Sequence, residues 1–135
     1  MMSKIAEIEG VGPEFAKKLA GVGIKTVEAL LEAGSTPKKR QELAAHTGIA
    51  EKNILEWVNL ADLFRIKGVA SEFSDLLEEA GVDTTAELAK RVPENLCASL
   101  AKTNAEKKLV RRLPTMKEVT SWVTQAKTLQ RKIEY

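Results

Sequence analysis

Apolar side chains recur along this chain at the spacing of an α-helix. Two triplets with the spacing i, i+4 and i+7 each mark one buried helix face: Phe15, Leu19 and Val22, then Phe73, Leu77 and Ala80. A longer helix that carries a tryptophan is expected to end each half of the chain, over about 51–64 and 116–131. No run shows the strict alternation of apolar and polar residues that is typical of a half-buried strand. The pattern therefore predicts an all-α fold.

Helix start signals divide the chain into short helices. Pro13 suits the first turn of a helix that begins after Gly12. Thr26 and Thr36 stand where an N-cap belongs. Three Thr-x-x-Glu sequences have the spacing of a capping box: Thr84–Glu87, Thr103–Glu106 and Thr115–Glu118. About four short helices are therefore expected in each half.

The chain reads as one unit written twice. At an offset of 58 residues, identical residues fall at Ile8/Ile66, Gly10/Gly68, Val11/Val69, Glu14/Glu72, Phe15/Phe73, Leu19/Leu77, Gly23/Gly81, Thr26/Thr84 and Leu30/Leu88. Trp57 pairs with Trp122 at an offset of 65, so the second copy holds a basic insertion around KKLVRRLP. These matches predict two tandem repeats, 1–65 and 66–135. They are expected to pack as one compact body, because no Pro-, Ser- or Gly-rich linker lies near residue 65.

The first copy contains a glycine turn, IEGVGP at residues 8–13, directly before a helix. Glycines two positions apart allow backbone dihedrals closed to other residues and a close approach of a ligand. The amides of Gly10 and Gly12, with the free donors of the helix that begins at Pro13, are expected to form an anion-binding nest. Lys17 and Lys18 would add positive charge. The turn therefore predicts a phosphate site.

At these residues the chain resembles the helix-hairpin-helix motif, which grips a nucleic-acid backbone phosphate without reading bases. The resemblance implies that Gly10, Gly12 and Lys17 or Lys18 contact the phosphate, while Val11 packs beneath the hairpin. The whole chain, from IEGVGPEFAKKLAGVG to KKLVRRLPT, is similar to a bacterial family of tandem helix-hairpin-helix repeats that is classed as a domain of unknown function. The family resemblance implies an architecture and supplies no activity.

The second copy keeps the skeleton of the turn and loses its polar part. Three replacements matter most: Ala70 for Gly12, Asp75 for Lys17 and Leu76 for Lys18. A phosphate at this turn would meet carboxylates where the first copy offers ammonium groups, and like charges repel at short range. The second copy is therefore expected to be a structural partner of the first, or a docking surface of its own.

Charge is unevenly distributed, although the net charge is only +2. Residues 66–94 carry three basic and seven acidic side chains, whereas residues 102–117 carry six basic and one acidic. Two basic clusters are candidate contacts for polyanions: Lys17, Lys18, Lys38, Lys39 and Arg40 in the first copy, and Lys107, Lys108, Arg111 and Arg112 in the second. The second cluster is predicted to lie along one side of a helix that Leu109, Val110 and Leu113 anchor. An acidic protein partner would suit this cluster equally.

Enzymatic chemistry finds little support. The single cysteine, Cys97, excludes an intramolecular disulfide and a cysteine-clustered zinc site and reads as a core residue. The single histidine, His46, lies near a helix end and is expected to bond a terminal carbonyl. Five of the six aromatic residues occupy apolar helical positions, so we expect core packing rather than base stacking for them, while the terminal Tyr135 gives no indication. No cofactor, metal or small-molecule substrate is expected.

The sequence thus predicts a non-enzymatic protein. The protein is also expected to be cytoplasmic and without membrane contact, because it has neither a sustained apolar span nor the apolar segment of a signal peptide. Its predicted function is sequence-independent binding of the DNA backbone through the first glycine turn. The alternative is a protein–protein adaptor or scaffold in which neither turn touches nucleic acid.

Overall fold

The structure, a computed structural model, describes residues 3–135; Met1 and Met2, where the predicted first repeat begins, lie outside the described residues. Within that range the chain is all-helical apart from an isolated bridge between Lys4 and Thr26. A short 3-10 helix, Ile5–Glu7, precedes the α-helices: α1 (Pro13–Ala20), α2 (Val27–Ala33), α3 (Pro37–Thr47), α4 (Glu51–Leu63), α5 (Ser71–Glu79), α6 (Thr85–Ala89), α7 (Pro93–Lys107) and α8 (Met116–Thr128). The predicted all-α class is confirmed.

Threonine caps start half of these helices. The hydroxyl of Thr26, Thr36, Thr84 or Thr115 accepts a hydrogen bond from the backbone N–H three residues later. At Thr115 the predicted capping box is complete, because the Glu118 carboxylate also accepts the Thr115 N–H at 2.9 Å. The capping box predicted at Thr103 is wrong, since this residue lies inside α7.

The chain folds into two compact units. Unit 1 runs to Asp62 and also includes Lys132–Tyr135, whereas unit 2 is Leu63–Arg131. No helix within residues 3–135 combines the length and the apolar character that a bilayer span requires. The origin of the two units as tandem repeats stays a prediction.

Each unit buries a tryptophan of its last helix in its own core. Trp57 in α4 is 3% exposed and its ring centroid lies 5.0 Å from that of Phe15. Trp122 in α8 is 2% exposed and lies 5.3 Å from Phe73 in the same way. These tilted aromatic pairs fasten α1 to α4 and α5 to α8. The predicted burial of Val22 is wrong: its side chain is 42% exposed, because α1 ends two residues earlier.

Candidate nucleic-acid interface

The first glycine turn, residues 8–13, is held by a hydrogen bond and by a tryptophan. The N–H of Val11 donates to the Ile8 carbonyl at 3.1 Å, and both side chains are buried. Gly10 has φ +91°, a left-handed conformation that favours glycine. A β-carbon on Gly10 would also stand 3.2 Å from Nε1 of Trp57. The positive φ and the nearby indole therefore both favour glycine at position 10.

Gly12 differs from Gly10 in both respects. Its backbone, with φ −79° and ψ 179°, is extended and open to any residue. A β-carbon there would meet nothing within 4 Å. The expectation that both glycines supply special dihedrals is wrong for Gly12. Glycine at this position leaves open space in front of α1, and the backbone conformation there does not require it.

The N-terminus of α1 keeps its donors free of side-chain caps. Gly12 is the N-cap residue and has no side chain, and its carbonyl accepts the first helical bond from Ala16 at 2.9 Å. Pro13 brings no N–H, so the backbone amides of Glu14 and Phe15 are the first donors of this end. The Glu14 carboxylate lies in the same turn and opposes an anion there, whereas the positive end of the helix dipole favours one.

The second glycine turn, residues 66–71, repeats this backbone. Gly68 has φ +94°, the N–H of Val69 donates to Ile66 at 3.1 Å, and a β-carbon on Gly68 would stand 3.1 Å from Nε1 of Trp122. Ala70 occupies the position that corresponds to Gly12 and is the N-cap of α5. An open, mainly apolar cavity of about 320 Å³ lies at this turn, lined by Gly68, Ala70, Ser71, Glu72 and Phe73.

The two lysines predicted beside the first turn lie at the far end of α1. Lys17 and Lys18 are exposed and belong to its last turn. Lys17 is five residues beyond Gly12, or about 7.5 Å along the axis at 1.5 Å per residue. The Lys18 ammonium stands 5.8 Å from the centroid of the Phe15 ring. Both charges also complement the negative end of the helix dipole, which gives them a role in the fold.

The basic start of α3 divides into two exposed residues and a buried one. Lys38 is exposed, and the Lys39 ammonium donates to the Glu32 carbonyl at 3.3 Å. Arg40 is only 5% exposed, and its guanidinium donates to the carbonyls of Gly34 and Glu134, each at 2.8 Å. The prediction of Arg40 as a phosphate contact is wrong, because its side chain is buried and two of its N–H groups donate inside unit 1.

Lys39 also lines a small groove in unit 1. This cavity of about 230 Å³ is bordered by Val22, Ile24, Ala33, Lys39, Glu42, Leu43 and His46. It places Lys39 beside the loop that follows Lys17 and Lys18 in the chain. His46 lies in the last turn of α3, and its Nδ1 is hydrogen-bonded to the Glu42 carbonyl at 2.8 Å, which lies inside the helix and is not a terminal carbonyl as expected.

The predicted helical side of Lys107, Lys108, Arg111 and Arg112 is wrong. Helix α7 ends at Lys107, and Lys108 adopts the left-handed conformation with φ +52°. Beyond the end of the helix, the Asn104 side chain binds the backbone: its Oδ1 accepts hydrogen bonds from the N–H groups of Leu109 and Val110, at 2.8 and 2.9 Å. Of the predicted anchors, Val110 is buried, but Leu113 is 41% exposed.

Acidic partners neutralise part of this second cluster. The Lys107 ammonium is hydrogen-bonded to the Glu79 carboxylate. Arg112 donates to both carboxylate oxygens of Glu118, at 2.7 and 3.1 Å, and stands over the Phe73 ring. The hydrogen bonds from Arg112 and from the Thr115 backbone lower the pKa of Glu118 to about 2. Lys108 and Arg111 are exposed and are the members of the cluster best placed for a partner.

Two further groups of polar or titratable side chains lie in unit 2. The carboxylates of Asp75, Glu78 and Glu79 lie within 4.8 Å of one another, and the Lys107 ammonium shares this cluster. Burial, and then the charge of Glu94, raise the pKa of the Cys97 thiol, whose sulfur lies 3.8 Å from that of Met116. A raised pKa keeps the thiol protonated and poorly nucleophilic at neutral pH.

Comparison with known proteins identifies a family. The family model described as "Domain of unknown function (DUF4332)" matches residues 9–129. Because the match covers most of the chain, the chain belongs to this family, and the predicted membership in a domain-of-unknown-function family is confirmed. No curated protein and no solved structure matches the chain.

Proposed function

We propose that this member of the family is a non-enzymatic binding protein whose first glycine turn contacts the phosphate backbone of nucleic acid, DNA in the first place, without sequence specificity. The observation that carries this proposal is the openness of Gly12. Its backbone is extended, a β-carbon on it would meet no other side chain or backbone atom within 4 Å, and it stands at a helix N-terminus without a side-chain cap.

The contrast with the second turn supports this assignment. The fold explains glycine at positions 10 and 68, because both have a positive φ above a tryptophan. It does not explain glycine at position 12, because Ala70 occupies the corresponding position on the same kind of turn. A phosphate oxygen that approaches the amides in front of α1 would gain from the missing β-carbon. In this proposal the turn is the phosphate-holding part of a helix-hairpin-helix motif.

Exposed lysines would supply the longer-range attraction. Lys17 and Lys18 lie in the last turn of α1, from which they would contact the phosphate at Gly12 or its neighbours along the same backbone. Lys38 and Lys39 would extend the contact from the start of α3. Such contacts release counterions, so the affinity would fall steeply with salt. With a net charge of +2, the binding is expected to be modest.

The two glycines of the turn and the valine between them offer nothing with which to read a base. Gly10 and Gly12 have no side chains, and Val11 is 4% exposed and points into the fold. Contacts between backbone amides and phosphates fix a protein on a duplex but carry no sequence information. The proposed interaction is therefore independent of sequence.

The test is fluorescence anisotropy of labelled duplex and single-stranded DNA at 50 and 200 mM salt. A Gly12→Asp variant places a carboxylate where the phosphate would sit, and Ala70→Asp makes the matched change at the second turn. We expect salt-sensitive binding by the wild type and by Ala70→Asp, and a loss of at least about tenfold for Gly12→Asp, or 1.4 kcal/mol. Equal affinities for the two variants would contradict the proposed site.

The second candidate is a protein–protein adaptor, and one observation favours it. The open apolar cavity of about 320 Å³ at the second turn lies in the part of the chain with three basic and seven acidic side chains, which repels polyanions. A wild-type protein that fails to bind DNA even at 50 mM salt would favour this candidate over the first.

A further inference from the structure

The last residues of the chain are seated on unit 1 as an extended segment. Lys132–Tyr135 have no helical structure and are grouped with unit 1, although they follow unit 2 in the chain. The N–H of Glu134 donates to the Ser35 carbonyl at 2.8 Å, and the Glu134 carbonyl accepts from Arg40 at 2.8 Å. Both polar groups of one peptide residue are thus bound by unit 1.

Two alternate side chains of this segment, Ile133 and Tyr135, contact unit 1. In an extended chain residues i and i+2 point to the same side. Ile133 is 2% exposed, whereas Tyr135 is 60% exposed and contacts unit 1 through its hydroxyl, which donates to Oδ1 of Asn59 at 2.8 Å. Between them, the Glu134 side chain is exposed and only its backbone is bound. Unit 1 therefore contacts an aliphatic residue and a tyrosine two positions apart, together with the backbone between them.

Arg40 binds the main chain of the segment from inside unit 1. It is 5% exposed, yet its two guanidinium contacts are main-chain carbonyls, one from Gly34 in its own unit and one from the seated segment. The same guanidinium stands 5.9 Å from the centroid of the Tyr135 ring. The Gly34 backbone lies close against the buried Val58, because a β-carbon on Gly34 would stand 2.4 Å from Cγ2 of Val58. The carbonyl that accepts from Arg40 therefore belongs to a residue packed on the core of unit 1.

We propose that this face of unit 1 is a recognition site for an extended peptide with the pattern aliphatic residue, any residue, tyrosine, and that the chain's own Ile133–Tyr135 occupies it. Main-chain hydrogen bonds supply affinity and the two side chains supply specificity, as in other modes that capture an extended strand. The proposal does not depend on nucleic-acid binding.

The test uses the full chain with its tail released. Ile133→Asp together with Tyr135→Ala removes both side-chain contacts and leaves every residue of unit 1 outside the tail unchanged. The probe is a labelled synthetic peptide of residues 129–135, LQRKIEY, followed by anisotropy. Glu134→Gln is the matched control, because this exposed side chain plays no part in the seating and its backbone contacts remain.

We expect the released variant to bind the peptide at least about tenfold more tightly than the wild type or Glu134→Gln. In those two proteins the tail occupies the site, so only a small fraction of the molecules has a site open to the peptide. Adding Arg40→Met to the released variant should abolish binding. A peptide with aspartate in place of the isoleucine should not bind.

Each remaining outcome decides the proposal. A folded released variant that ignores the peptide overturns it, as does equal binding by the released variant and the wild type. If the released variant is unfolded by circular dichroism, refolding on addition of the peptide supports the proposal. Failure of saturating peptide to refold it overturns the proposal.

Discussion

Nε1 of the Trp57 indole lies 3.2 Å from the position that a β-carbon would take on Gly10. The tryptophan of α4 thus forms the floor of the turn that precedes α1. Trp122 stands in the same relation to Gly68 at 3.1 Å. Each tryptophan also packs on the phenylalanine of the helix that begins after the turn, Phe15 in α1 or Phe73 in α5. One indole in each unit therefore contacts both the glycine turn and the helix after it.

This arrangement predicts that alanine has opposite consequences at two glycines two positions apart. Gly10→Ala forces a β-carbon into a left-handed conformation and against the indole, so we expect a loss of about 1–2 kcal/mol in the free energy of unfolding. Two effects oppose each other in Gly12→Ala: alanine is a poorer N-cap residue than glycine, but it lowers the conformational entropy of the unfolded chain. The free energy of unfolding of this variant should therefore stay within about 0.5 kcal/mol of that of the wild type. Urea denaturation measures both. Similar losses at the two positions would contradict the distinction.

Aspartate at the N-cap positions of α1 and α5 distinguishes an effect on stability from an effect on DNA binding. Asp is a preferred N-cap residue, and both positions have extended backbone. We expect Gly12→Asp to stabilise the protein by a few tenths of a kcal/mol, and Ala70→Asp by about 0.5–2 kcal/mol, in thermal or urea unfolding. A Gly12→Asp variant that is stable and yet binds no DNA would tie the loss to the turn itself. A destabilised Gly12→Asp would mean that the N-cap geometry is not as described.

Sequence patterns predicted the parts of the fold that depend on local chemistry. Thr26, Thr36, Thr84 and Thr115 act as caps because their hydroxyls satisfy donors within their own helix, which needs no tertiary information. The paired tryptophans were also visible, since both stand at apolar helical positions.

Side chains that act through tertiary contacts were harder to predict. Arg40 reads as part of a basic run, but it stands three residues before the buried Leu43, which marks it as a member of the inner face of α3. Its acceptor on Glu134 comes from a distant part of the chain and has no local signal. Likewise, nothing in the spacing distinguishes Gly12 from Gly10, because the difference lies in φ and in the position of Trp57.

The ion pair between Arg112 and Glu118 predicts a pH dependence. The hydrogen bonds from Arg112, and then from the Thr115 backbone, lower the pKa of Glu118 from 4.5 to about 2. A carboxyl group whose pKa is lower in the folded state stabilises that state when it is ionised. This contribution is complete above pH 4.5 and disappears as the pH falls from about 4.5 to about 2.

The comparison of Glu118→Gln with the wild type isolates that contribution. We expect the variant to be less stable than the wild type at pH 7, and the difference between them to shrink as the pH falls to 3, in urea denaturation at each pH. Glu56→Gln removes an exposed carboxylate from α4 that makes no hydrogen bond or ion pair within the described residues, and serves as the control. A difference between wild type and Glu118→Gln that stays constant with pH would contradict the assignment.

The left-handed residue that ends α7 gives the last prediction. Lys108 has φ +52° although it is not glycine, and Asn104 holds the backbone beyond it through Leu109 and Val110. A left-handed conformation costs a residue with a β-carbon about 1–2 kcal/mol, and glycine is the usual residue at such a helix end. We therefore expect Lys108→Gly to raise the free energy of unfolding by about 1 kcal/mol.

A matched glycine inside the helix tests that explanation. Ala105 is exposed and lies within α7, where glycine costs about 1 kcal/mol relative to alanine. Ala105→Gly should therefore destabilise the protein in the same urea experiment in which Lys108→Gly stabilises it. Asn104→Ala should lower the free energy of unfolding, because it leaves two backbone donors without their acceptor. If Lys108→Gly also destabilises, α7 continues past Lys107 in solution and the predicted helical basic face regains its basis.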